Sequence, residues 1–107
     1  MSILIDPLSN KVTLTQTGIG LAILEKGDVK EFLIRDIRTT IVNPACIYEN
    51  KKDSRVRYYF QFIKSTIFMC ISRQSDDGWY LADTLFNPEK DVIHSIFLHD
   101  NLLYSRD

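Results

Sequence analysis

Pro44 narrows what this chain can become more than any other residue. The stretch TIVNPACIYE (40–49) runs into Asn43-Pro44 with helical spacing and leaves it as a strand-like run. A proline clashes with an α conformation at the residue before it, so a helix arriving here must end by about residue 42. Upstream, Asp28 is placed to cap a helix over 29–42. Its apolar positions Val29, Phe32, Leu33, Ile37 and Ile41 recur near the helical period. Lys30, Glu31, Arg35, Asp36, Arg38 and Thr39 fall largely on the other side, giving one packed and one solvated face.

Beyond Pro44 the period changes to two. Strands are expected over 46–50, 55–63, 66–72 and 79–86. In RVRYYFQFI (55–63), Val56, Tyr58, Phe60 and Phe62 alternate with Arg55, Arg57, Tyr59 and Gln61, the pattern of a sheet with one face on a core. The connections KKDS (51–54), KS (64–65) and QSDDG (74–78) are short enough to require antiparallel neighbours. TIFMCIS (66–72) is nearly all apolar, as a central strand is.

Before the helix, 2–6 and 11–15 read as short strands around Pro7, Ser9 and Asn10, forming a hairpin or an extended lead-in. A further helix is expected over 17–26, closed by Gly27. After the strands, Pro88 opens a C-terminal segment in which Val92, Ile93, Ile96 and Phe97 have helical spacing, followed by a tail. The expected fold is therefore α+β: two N-terminal helices packed on a four-stranded antiparallel meander, plus a C-terminal helix or tail. At 107 residues the whole chain, 1–107, is expected to be a single domain.

Charge and cysteines exclude some classes of function. Thirteen basic and 14 acidic residues leave a formal net charge of −1, so no general electrostatic pull on nucleic acid is expected. Cys46 and Cys70 sit in apolar runs, outside any CxxC or Cys/His cluster. They suggest no zinc site; a reduced pair is the plainer expectation and a disulfide the alternative. No metal and no cofactor are expected. The N-terminus lacks a signal-peptide pattern, and no apolar run approaches the ~18–20 residues of a membrane span. A cytoplasmic protein that does not engage membranes is expected.

The order of elements, with VTLT before a helix, DVKEFLIRDIRTTIVNPACIYE, RVRYYF, FMCIS and DGWYLADTLF, resembles the barnase/EndoU/colicin/RelE superfamily of small metal-independent RNases, in particular its phage- and toxin-associated branch. The resemblance spans about residues 12–87 and leaves 88–107 as a C-terminal extension. It implies a second helix ending in Asn-Pro before an Ile-Tyr strand, and a Gly-aliphatic-Thr pattern that Gly78 to Thr84 matches loosely. Where active members of that branch carry histidines, this chain has Thr17, Leu21 and Lys26. The resemblance therefore implies the scaffold with its usual catalytic histidines missing.

Cleaving RNA without a metal requires a base for the 2′-hydroxyl, a cation for the phosphorane and an acid for the leaving oxygen. The candidates are Lys26, Arg55, Arg57 and Thr84. Arg55 and Arg57, two apart on a strand, would share a face and clamp a phosphate; the alternative is a solvated outer face. Thr84 lies where the family places a hydroxyl, but Thr is also simply a good strand former. Lys51, Lys52 and Tyr59 are candidate RNA-binding residues. Phe97, Leu102 and Tyr104 are candidate protein-binding residues, because the C-terminal segment is more apolar than a tail requires. His94 and His99 read as surface helix positions.

Two functions follow. One is a catalytically degenerate RNase-fold protein that binds a protein partner as an immunity, antitoxin, anti-defence or assembly component. The alternative is a toxin-type endoribonuclease acting by general acid–base catalysis. The expected partner is a protein, with RNA as the second candidate and the C-terminal segment as a candidate homodimer contact.

Overall fold

The computed structural model of the chain describes residues 2–14, 30–63 and 65–106. The helix expected over 17–26, with Lys26, lies outside the described residues, as do Val29 and the side chains of Phe32 and Leu33.

The described chain runs β1 (Ser2–Ile5), β2 (Lys11–Leu14), α1 (Lys30–Val42), β3 (Cys46–Glu49), β4 (Val56–Ile63), β5 (Thr66–Ser75), β6 (Gly78–Phe86), α2 (Lys90–His99) and β7 (Asn101–Ser105). All seven strands join one sheet in the order β1-β2-β6-β5-β4-β3-β7. Every pairing is antiparallel except β2 with β6, which is parallel.

The class is α+β, but the architecture is not two N-terminal helices on a four-stranded meander. The meander β3 to β6 is present, and three strands extend it. The N-terminal hairpin β1–β2 attaches through β2 to β6, where Val12 and Thr13 face Trp79 and Tyr80. The expected tail is strand β7, antiparallel to β3 on the other flank. The described helices lie on opposite sides of the meander in sequence. The physical reason is that alternation marks a strand but carries no record of a partner more than 60 residues away.

Successive residues of a strand point to opposite faces, and here both faces are covered. α1 places Ile37 and Ile41 on one face, against Val12, Leu14, Ile47, Tyr59, Phe68, Cys70, Trp79 and Leu81. α2 places Ile93 and Ile96 on the other, against Phe60 and Met69. Tyr59 and Phe60, adjacent in β4, are both fully buried, one in each core. The expected division of β4 into a core face and an outer face is replaced by two buried faces, and Phe62 is left 50% exposed at the strand's end.

The Pro44 junction does what its chemistry requires. α1 stops at Val42, Asn43 N–H donates to Thr39 O at 2.8 Å, Pro44 is buried, and Ala45 N–H already bonds Phe60 O at 2.8 Å. The Asn43 carbonyl, orphaned at the helix end, accepts from Gln61 Nε2 at 2.9 Å and Arg106 Nη1 at 3.2 Å. No described helix is long and apolar enough to cross a membrane.

Candidate functional site

The turn after β1 builds a buried polar cluster on the α1 face. Asp6 curls the chain as an Asx turn. Its Oδ1 accepts from the Leu8 N–H at 3.0 Å and the Asn10 N–H at 2.8 Å, while Ser9 takes a φ of 66°. Its Oδ2 accepts the Tyr59 hydroxyl at 2.5 Å and lies 3.9 Å from Arg57 Nη1. Arg57 Nη1 also donates to Asn10 Oδ1 at 3.2 Å, and the guanidinium lies 4.1 Å from the centroid of the Trp79 ring. Burial, then the hydrogen bond to Asp6 and its negative charge, push the Tyr59 hydroxyl far above the ordinary tyrosine range. Charge is balanced internally here, and the arrangement reads as a brace between the hairpin and β4.

The described members of the expected catalytic set stand in different surroundings. Arg57 belongs to the buried cluster, its side chain 14% exposed. Arg55 precedes β4, its side chain is 71% exposed, and its Nε lies 3.6 Å from Asp53 Oδ1. Thr84 lies within β6, opposite Cys70 of β5 and 3% exposed, with no hydrogen-bond partner for its Oγ1 among the described residues. Tyr59 is fully buried and offers no face to a base. Lys26 lies outside the described residues. Among the described residues, no group of three or more His, Cys, Asp or Glu side chains is placed to hold a metal.

The protein-binding candidates fall on the α2 side and on the β7 flank. Phe97 is 39% exposed and stacks on Tyr48 and Phe60, each with ring centroids 5.1 Å away. Leu102 is 55% exposed on β7. Tyr104, opposite Ile47, is half-buried against the α1-side core.

A concavity lies beside α2. A groove of about 960 Å³ runs between that helix and the sheet. Tyr58 of β4, Met69 and Ile71 of β5 and Leu85 of β6 make its floor, and Val92, Ser95, Ile96 and His99 make its wall. Lys51 and Lys52 stand at one end, placed by a second Asx turn in which Asn50 Oδ1 accepts from Lys52 N–H at 2.8 Å and Asp53 N–H at 3.0 Å. The Lys51 N–H donates to Asp100 Oδ1 at 2.9 Å, tying this turn to the end of α2. Asn50 Nδ2 donates to the Tyr58 hydroxyl at 2.9 Å, fixing that ring at the floor.

Sequence reading missed this groove because its floor and wall come from distant segments. Val92, Ile96 and His99 do share one side of a helical wheel, and that was the available signal. Compared with protein-family models, with curated proteins and with solved structures, the chain matches none.

Proposed function

We propose that this chain is a protein-binding module without nuclease activity of its own, acting in the cytoplasm as an immunity, antitoxin, anti-defence or assembly component. The groove along α2 carries the reading. It pairs an apolar floor with an exposed helix wall, a form suited to a partner's apolar side chains. The surrounding surface supports it: Val92 is 44% exposed, Leu98 64% and Phe97 39%, more apolar helix surface than solvation favours. Arg57 is engaged in the buried Asp6 cluster and Thr84 is 3% exposed, which leaves little of the expected catalytic set open to RNA. The RNase resemblance adds no weight, because no family model, curated protein or solved structure matches the chain.

Two measurements test the reading. Purified protein is expected to leave total RNA intact at high concentration; cleavage abolished by Arg55→Ala would establish the nuclease instead. A partner captured from the native host is expected to bind wild type and to be lost with Val92→Glu, a charge placed in the groove wall at an exposed position. Capture indifferent to Val92→Glu would rule out the groove as the binding surface.

A further inference from the structure

Resting on the binding-module reading, we infer that the groove takes a partner helix of two to three turns, lying antiparallel to α2, acidic at its N-terminus and basic at its C-terminus.

The helical form follows from the width of the sheet. Strands lie about 4.8 Å apart and a helix is about 10 Å across, so one helix covers about two strands. α2 lies over β3 and β4, where Phe97 meets Tyr48 and Phe60, and its Ile93 and Ile96 reach Met69 of β5. Ile71 of β5 and Leu85 of β6, both half-buried at the edge of that core, continue the floor beyond the helix. A second helix beside α2 fills that space with the spacing helices adopt against one another. From Asp91 to His99 the wall rises about 12 Å, which sets a partner of two to three turns.

The direction follows from charge. Lys51 and Lys52 stand by the C-terminal end of α2, and Asp91 stands at its N-terminal end. Asp100 offsets part of the positive end, leaving two lysines against one carboxylate there. Both lysines are exposed, and neither is in an ion pair among the described residues. Helices favour acidic residues in the first turn and basic ones in the last, so a partner with that ordinary pattern fits only antiparallel to α2. Its dipole then also opposes that of α2 favourably.

The test is a displayed library of 14-residue helix-forming peptides selected on the immobilised full chain. Selected peptides are expected to carry Asp or Glu in the first turn, Lys or Arg in the last, and apolar residues at i, i+3 or i+4, and i+7. They are expected to bind the Lys51→Glu/Lys52→Glu variant about tenfold more weakly, and to weaken when salt is raised from about 0.05 to 0.5 M. Unchanged circular dichroism of that variant establishes that the exposed lysines do not affect folding. Peptides with no charge order, or a groove that takes up a fluorescent fatty acid but selects no helix, would overturn the inference. If host-partner capture depends on Val92 while the peptides show no charge order, the binding-module reading survives and this one fails. If capture ignores Val92, the reading beneath it fails.

Discussion

Tyr59 donates its hydroxyl to Asp6 Oδ2 at 2.5 Å, joining the centre of β4 to the β1–β2 turn across 53 positions of sequence. The bond helps hold the N-terminal hairpin against the sheet, adding to a short parallel pairing of β2 with β6 and to the packing of Val12 and Leu14. Hydrogen bonds to charged groups contribute about 1.5–3 kcal/mol net. Tyr59→Phe removes the donor and leaves Asp6 buried, so urea unfolding should show a loss of that size. The pH dependence has a definite sign. The folded state raises the Tyr59 pKa above its ordinary value of 10.0, so the protonated phenol is the form that folding favours. Its contribution is complete below pH 10.0 and declines as pH rises beyond it. Wild type should therefore lose stability with pH in that range more steeply than Tyr59→Phe; equal slopes would show that the phenol does not titrate with unfolding.

Arg55 and Arg57, two residues apart, should behave as unrelated residues. Arg57→Ala strips the Trp79 ring of its cation and leaves the fully buried Asp6 carboxylate without its counter-ion. Breaking a buried pair from one side costs about 3–5 kcal/mol, and the lower end applies here because Asp6 keeps three hydrogen bonds. Arg55→Ala removes an exposed pair with Asp53 and should change stability by less than about 0.5 kcal/mol. Thermal melts of the two variants side by side decide this. A comparable loss in both would mean that the arginines share a site.

What could be read from the sequence was local. Asn43-Pro44 marked the end of α1, and the alternation around Phe60 marked β4, because a steric clash and a two-residue period are written in adjacent residues. Two features were not written there. One was that Tyr59 would be buried as fully as Phe60, which depends on α1 covering one face of the sheet and α2 the other. The other was the placement of Asp6, whose Asx turn is legible but whose burial under Arg57 and Tyr59 needs the parallel β2–β6 pairing. The groove was hidden for the same reason, since Leu85, Ile71 and Val92 meet only after the helix folds back. Arg57 and Tyr59 drew attention as polar outer-face residues, and in the fold they are the interior of that cluster.

Thr84→Val should be neutral or stabilising. The Thr84 hydroxyl is buried, 3% of the residue is exposed, and Oγ1 has no hydrogen-bond partner among the described residues. An unsatisfied buried hydroxyl costs about 1–3 kcal/mol, which an isosteric methyl recovers in part. Differential scanning calorimetry should show an unchanged or raised Tm. A clear drop in Tm would mean that the hydroxyl has a partner after all.

Neither cysteine should react quickly in the native protein. Cys46 and Cys70 are free thiols and belong to different cores, Cys46 beside the α2 core and Cys70 within the α1 core, so the sheet itself separates them. Burial pushes the Cys46 thiol up to about 11 and the Cys70 thiol further, with Asp36 and Asp83 adding to the latter. The thiolate is the reactive form, so iodoacetamide at pH ~8 should label both slowly in buffer and rapidly in denaturant. Rapid labelling of either thiol without denaturant would show that its core opens.

The two apolar residues of β7 should separate packing from association. Tyr104 is half-buried, pairs with Ile47 and packs on the α1-side core, whereas Leu102 is 55% exposed opposite Tyr48. The register slips between them, leaving Leu103 as a bulge. Bulges twist an edge strand away from any strand that would add to it. Tyr104→Ala should cost about 2–3 kcal/mol through lost packing, since aromatic truncations in full cores cost about 3–5 and this ring is only partly enclosed. Leu102→Lys should change stability by less than about 0.5 kcal/mol. Sedimentation velocity of the Leu102→Lys variant should match wild type across a wide concentration range. A smaller species in the variant alone would mean that copies of the chain pair through β7 despite the bulge.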